Sequence, residues 1–170
     1  MSAPMTEPAS PPRNAKLVSL LWATIDHADE LAKCHAALFD APWDTASFQQ
    51  FLSHPGSVAL ISREGNPQTT IGFIVGQLAA DEAEILTFGV AKEWQRLGIG
   101  RRLIDGLQRA AARGEAKKLY LEVAEDNLPA LVLYSRVGFK EAGRRKGYYK
   151  RAAEPAVDAL NLALPLDAGS

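Results

Sequence analysis

The chain has 170 residues, enough for one ordinary domain and too few for two cores of comfortable size. With 47% hydrophobic and 23% charged residues, it has the composition of a globular domain, which excludes a disordered or membrane-embedded chain. Nineteen Lys and Arg against twenty Asp and Glu leave a net charge of -1, which argues against a polyanion-coating surface; the single cysteine, Cys34, excludes an internal disulfide framework and fits a reducing compartment.

Residues 1–15 read as a flexible leader, with Pro4, Pro8, Pro11 and Pro12 among small polar residues and no apolar period. Residues 16–167 read as one domain and 168–170 as a tail. Arg13 and Lys16 before Leu17 to Ile25 imitate a secretory signal, but the stretch runs into Asp26 and His27 without a small-x-small cleavage site, so a first strand is predicted there. No run of about 18 apolar residues occurs, and no membrane span is predicted. Asp26 is read as the cap of a helix with Leu31, Cys34 and Leu38 on one face, and Asp44 as the cap of a second, carrying Phe48, Phe51 and Leu52 and ending before Pro55. Three strands follow, Ser57 to Ser62, Thr69 to Leu78 and Glu84 to Val90. Glu64-Gly65-Asn66-Pro67 and Asp81-Glu82 part them, so an antiparallel meander is expected.

The period then becomes helical. Ile99, Leu103, Ile104, Leu107 and Ala111 form an apolar stripe from Gly98 to Arg113, stopped by Gly114. Lys118 to Val123 reads as a strand. Asn127 opens a helix with Leu131, Val132 and Ser135 on one face, closed by Gly138. A last hairpin uses Phe139 to Gly143 and Val157 to Leu164, with Gly143-Arg144-Arg145-Lys146-Gly147 as its turn. The expected architecture is a single α/β domain with a mixed, mostly antiparallel sheet of about seven strands and about four helices.

The stretch Gln95-Arg96-Leu97-Gly98-Ile99-Gly100 lies between a strand and a helix that carries Arg101 and Arg102. Glycines permit close backbone approach, and a helix start offers unpaired N–H groups at the positive end of its dipole, so the pattern suits a phosphate. A P-loop would need Lys and Ser or Thr after the second glycine, where Arg101 and Arg102 stand. The dinucleotide fingerprint fails because Leu103 occupies its third-glycine position and Ala91 to Leu97 separate strand from glycine. The remaining ligand class is coenzyme A.

Gln95, Gly98 and Gly100 match the pyrophosphate signature of the GNAT superfamily of acetyl-CoA-dependent N-acetyltransferases, and the resemblance covers residues 17 to 166. Closer likeness is to the RimI-type ribosomal-protein-alanine N-acetyltransferases. It is carried by Pro42-Trp43, Leu121-Glu122-Val123 with Asn127, Leu133-Tyr134 with Gly138-Phe139, and Gly147-Tyr148-Tyr149 with Asp158-Ala159. The resemblance implies a GNAT-like fold and acetyl-CoA contacts at Phe88, Gly89, Val90, Gln95, Arg96, Leu97, Gly98, Ile99, Gly100, Arg101 and Asn127. It implies Glu122 as proton acceptor and Tyr134 as proton donor. It also implies a cytoplasmic enzyme whose acceptor is the N-terminal alanine of the eighteenth small-subunit ribosomal protein. Phe88-Gly89 before Val90 and Pro129 after Asn127 depart from the usual pattern and bear on the acceptor channel.

The chemistry agrees with these residue types. An α-amine titrates near 7.7 to 8.0 against about 10.4 for lysine, so its neutral form is the easier nucleophile to prepare. A carboxylate base at an ordinary value near 4.3 is weak, which favours burial or a water relay at Glu122; a tyrosine near 10 is protonated and can donate. Gly89 is read as a bulge that frees a backbone N–H near Val90 for the oxyanion. Cys34 is read as packing, and transfer as direct, without a covalent enzyme intermediate.

Other features carry less. Arg102, Arg109 and Arg113 read as a wet helix face, and His27, His35 and His54 form no constellation with Cys34, so no metal is expected. Tyr148 and Tyr149 are candidates for the acceptor groove, and Asp81 to Glu84 for attracting a basic peptide. No direct nucleic-acid or membrane partner is expected, and the oligomeric state is read as monomer or weak dimer. Two alternatives stay open: a GNAT enzyme acting on a small-molecule amine or lysine side chain, and a non-catalytic acyl-CoA-binding module.

Overall fold

Alternating apolar residues and turn chemistry set the strands, and their pairing creates the site. The computed structural model describes residues 12–167. In chain order they form β1 (Ser19–Trp22), α1 (Ala28–Ala36), α2 (Thr45–Leu52), β2 (Ser57–Glu64), β3 (Thr69–Ala79), β4 (Glu82–Val90), α3 (Ile99–Arg113), β5 (Lys118–Ala124), α4 (Leu128–Val137), β6 (Lys140–Arg151) and β7 (Glu154–Pro165). The sheet order is β1-β2-β3-β4-β5-β7-β6, and every neighbouring pair is antiparallel except β4 and β5. This is the seven-strand, four-helix α/β architecture that the sequence predicts. Of the expected leader, residues 1–11 lie outside the described residues, as does the expected tail, 168–170. Asn14 caps a short 3-10 turn at Ala15–Leu17, and Arg13 lies over the Trp94 ring.

The five residues of the α3 stripe are all 1% exposed or less and pack with Ile74, Leu119 and Leu121 on one face of the sheet. The other face holds α1 and α2, whose Leu31 and Phe48 pack on Ile61, Phe73 and Val75. One strand pairing stops short. The bond pattern joins β4 to β5 only at Glu82–Lys118, Ala83–Leu119 and Glu84–Tyr120. Past Glu84, β4 runs on to Val90 with β3 alone, while β5 runs on with β7 alone. The cause lies in the register: Gly76 pairs with Ile85 and Val75 with Thr87, so Leu86 is an extra residue. Such a bulge bends its strand, here away from β5.

Four local expectations need correction. Asp26 is not the α1 cap; it lies in a 3-10 turn at Ile25–His27 where the Thr24 N–H donates to His27 Nδ1 at 2.8 Å. The first strand is accordingly only Ser19–Trp22. In α4, Val132 is 50% exposed while Tyr134 is 7% exposed, so the packed face runs through Leu133, Tyr134 and Val137 rather than Val132 and Ser135. Gly143 to Gly147 is part of β6, not a turn: Arg144 binds Glu125, Glu141 and Asp158, and the Gly147 N–H donates to Asp158, which ties the stretch to β7. The chain reverses after Arg151, at Ala152 and Ala153.

Candidate active site

The turn into α3 leaves backbone donors free. Gly98 has φ +83°, and a Cβ there would meet nothing within 4 Å, so left-handed geometry rather than crowding favours glycine. Arg96 is also left-handed, at φ +62°. The first helical hydrogen bond runs from the Arg102 N–H to the Gly98 carbonyl, no side chain caps the helix, and no acidic residue stands in its first turn. The N–H groups of Ile99, Gly100 and Arg101 are therefore available at the positive end of the dipole. The Ile99 side chain itself is in the core, Leu97 is exposed, and Arg101 pairs with Asp105 at 3.0 Å. Arg102, Arg109 and Arg113 are exposed, as a wet helix face requires, and Arg102 also donates to the Ala15 and Val18 carbonyls.

β4 offers its free edge beside this turn. The Ala91 N–H donates to the Ile71 carbonyl at 2.7 Å, which sets the phase of the ladder. By alternation Gly89 faces β3, whereas Phe88 and Val90 turn their N–H and C=O groups toward the gap. The Gln95 side chain donates to the Val90 carbonyl at 2.9 Å, and the Val90 N–H, like that of Phe88, is a free donor on that edge. The bulge is thus at Leu86 and not at Gly89, and the free N–H has a different origin from the one expected. Gly89 is needed for packing, since a Cβ there would lie 2.9 Å from Leu38 Cδ1 and 3.2 Å from Phe73 Cζ.

On α4, the Asn127 carboxamide oxygen accepts from the Ala130 N–H, so its NH2 is not used in the cap. Tyr134 sits one face of the sheet away from α1, its ring 6.3 Å from that of Phe88 and 5.7 Å from that of Phe139. Burial pushes its phenol up to about 12. The only fully enclosed side-chain polar atom without a partner among the described residues is Ser62 Oγ, so the Tyr134 hydroxyl, itself unpaired, reaches a surface. Glu122 comes from the other side: Leu121 and Val123 share the core with Tyr134, and strand alternation turns Glu122 to the opposite face. It lines a cleft of about 410 Å³ with Glu82, Glu84, Tyr120, Asn161 and Arg145. Arg145 Nε is 3.2 Å from Glu122 Oε2. Tyr149 is raised above its ordinary value, first by burial and then by the Glu122 charge, which places it by the same carboxylate. Cys34 is pushed up to about 11 by burial, with Glu30 and Glu93 adding to it, a poor setting for a nucleophilic thiolate.

The pattern of the acetyltransferase (GNAT) family matches residues 20–139. The chain belongs to the GNAT acetyltransferase family. It is 38% identical over 129 residues to N-alpha-acetyltransferase RimI of Mycobacterium tuberculosis, covering 72% of this chain and 78% of that protein. It is 32% identical over 125 residues to the ribosomal protein bS18-alanine N-acetyltransferase of Escherichia coli strain K12, covering 74% and 82%. The crystal structure of the Escherichia coli ribosomal-protein-S18-alanine N-acetyltransferase superposes with a TM-score of 0.80 at 24% identity, over 90% of this chain and 96% of that one. Arabidopsis thaliana NAA60 in complex with a bisubstrate analogue has the same fold, with a TM-score of 0.76 at 20% identity over 89% and 99%.

GNAT enzymes use acetyl-CoA, and the residues here fit it: an uncapped helix start holds open the space that a Gly98 side chain would fill. The GNAT signature made Gln95, Gly98 and Gly100 visible in the sequence. It gave no sign that Gln95 turns inward to Val90, nor that Arg145 pairs with Glu122; both depend on bulges without a residue signature. Among the described residues no group of three or more potential metal ligands occurs, and no helix is long and apolar enough to cross a membrane.

Proposed function

We propose that this chain acetylates the α-amine of a protein N-terminus in the cytoplasm, as a monomer or weak dimer, and that its acceptor is the N-terminal alanine of ribosomal protein bS18. The observation that carries the mechanism is the parting of β4 from β5 past Glu84, which leaves a way between the two faces of the sheet. The acceptor is argued from the two bacterial relatives, whose lengths the chain covers by more than three quarters.

Acetyl-CoA supplies an acyl carbon activated as a thioester. In this reading the N–H groups of Ile99, Gly100 and Arg101 hold its diphosphate, with Arg96 alongside and the Asn127 carboxamide further along. Glu122 takes a proton from the acceptor ammonium, directly or through water, and frees the lone pair that forms the N–C bond. The Val90 N–H stabilises the developing oxyanion, and Tyr134 Oη gives up its proton as the C–S bond breaks. The nitrogen loses two protons: Glu122 passes the first to solvent, and the second restores Tyr134, whose own proton has gone to the thiol.

Thiol release from acetyl-CoA with an alanine-starting peptide tests these roles. Glu122→Gln and Tyr134→Phe should each lower kcat about 100-fold or more, while calorimetric affinity for acetyl-CoA stays within about twofold. A variant that keeps full kcat removes its residue from the mechanism.

A further inference from the structure

Arg144 and Arg145 are neighbours in β6 with different surroundings. Arg144 is bound to three carboxylates, Glu125, Glu141 and Asp158. Arg145 has one, Glu122, and its guanidinium carbon also lies 4.9 Å over the Tyr148 ring. Between Arg145 and Tyr149, β6 carries two more residues than the facing stretch from Ala159 to Val157. The Gly147 N–H donates to Asp158 at 2.9 Å and pins this bulge to β7. The bulge places an anion on one side of Arg145 and an aromatic face on the other. Its side chain is 62% exposed and that of Glu122 is 25% exposed, so the pair is of the weak, exchangeable kind.

We propose that Arg145 is a placeholder for the acceptor's ammonium group: it occupies Glu122 in the free enzyme, yields to the incoming amine by resting on Tyr148, and returns when the amine has become an amide. The inference rests on the reading that Glu122 receives the amine's proton. The argument is one of charge. At neutral pH the acceptor arrives as an ammonium and competes with a guanidinium for the same carboxylate oxygen. The N-acetylated product is neutral, keeps one N–H to donate, and competes poorly. Once Glu122 has passed its proton to solvent it is a carboxylate again, and Arg145 re-pairs with it. The exchange therefore discriminates substrate from product, which differ at that nitrogen by charge. Tyr148 gives the displaced guanidinium an alternative partner, so its departure from Glu122 does not leave it with water alone.

Arg145→Gln removes the competing cation without removing the base. With an alanine-starting peptide, the acceptor KM should fall about two- to fivefold, the range that a weak exposed ion pair permits. The inhibition constant of the N-acetylated peptide, whose amide leaves Arg145 on Glu122, should fall less, and the acetyl-CoA KM should not move. Arg145→Lys, which retains a cation, should restore wild-type values for both peptide constants. An acceptor KM that rises in Arg145→Gln, or peptide constants that do not change, overturns the proposal. Glu122→Gln separates the two failures: if it abolishes turnover while Arg145→Gln changes nothing, only the placeholder role falls, whereas full turnover in Glu122→Gln removes the reading beneath it as well.

Discussion

In the proposed mechanism the surroundings of Tyr134 set both halves of a proton transfer. An ordinary phenol near 10 is already protonated at neutral pH; burial lifts this one to about 12, so the donor form persists at any physiological pH. A stronger hold on the proton would make it a poorer acid, but the same burial destabilises a thiolate leaving group beside it. Cys34, whose own thiol burial drives up to about 11, illustrates the size of that effect in this protein. His35 makes a different use of burial. Its Nδ1 accepts from the Trp43 N–H at 3.1 Å, so that nitrogen carries no hydrogen, and Nε2 donates to Thr87 Oγ1 at 3.1 Å. Protonation would set N–H against N–H, and burial lowers its value below the ordinary 6.5. A histidine lowered in the folded state contributes stability fully above its unfolded value, and that contribution is lost as pH falls below it. Thermal or urea unfolding should therefore show stability falling from pH 7 to pH 5, by at most about 1.4 kcal/mol per pH unit for one proton, and His35→Phe should flatten that slope. A slope unchanged in the variant would place its origin elsewhere. None of this was legible in the sequence, where His35 is one of three histidines with no partner in view. Its partners come from β4 and from the loop before α2.

At the scale of elements, legibility follows the kind of signal. The α3 helix was readable because its five stripe residues share one period and its ends carry glycines, and each stripe residue is buried as expected. The Asp44 cap of α2 was readable for the same local reason, its carboxylate accepting from the Ser47 N–H. Bulges were not: Leu86 in β4 and the Arg145 to Tyr149 stretch of β6 depend on what lies across the ladder. The glycines of β6 imitate a turn because the partners that tie the stretch to β7, Asp158 and Glu125, are remote in sequence. The α3 turn offers a direct test. Gly98→Ala forces a left-handed alanine, costing about 1 to 2 kcal/mol of stability, and puts a methyl group into the open space at the helix start. Calorimetry on a variant shown by circular dichroism to be folded at about 25 °C should give an acetyl-CoA Kd raised about tenfold or more. An unchanged Kd would mean that the turn does not hold the coenzyme.

For the molecule as a whole, the balance of charge hides its distribution. A net charge of -1 is compatible with a cleft that gathers Glu82, Glu84 and Glu122 and with a β6 strand rich in Arg and Lys beside it. The meander β2-β3-β4 was legible from its short links, but the parallel junction of β4 with β5 was not, because a helix and its loops intervene and only three residue pairs make it. That short junction is what separates a closed sheet from one that opens between a buried phenol and a carboxylate on opposite faces. The central claim is that the opening serves an α-amine. Incubation of the wild-type chain with acetyl-CoA and a panel of peptides differing in their first residue, read by fragment mass, tests it directly. The account predicts one acetyl group per peptide, on the α-nitrogen, fastest when alanine comes first. Acetyl groups confined to lysine side chains, or turnover only with small free amines, would contradict it.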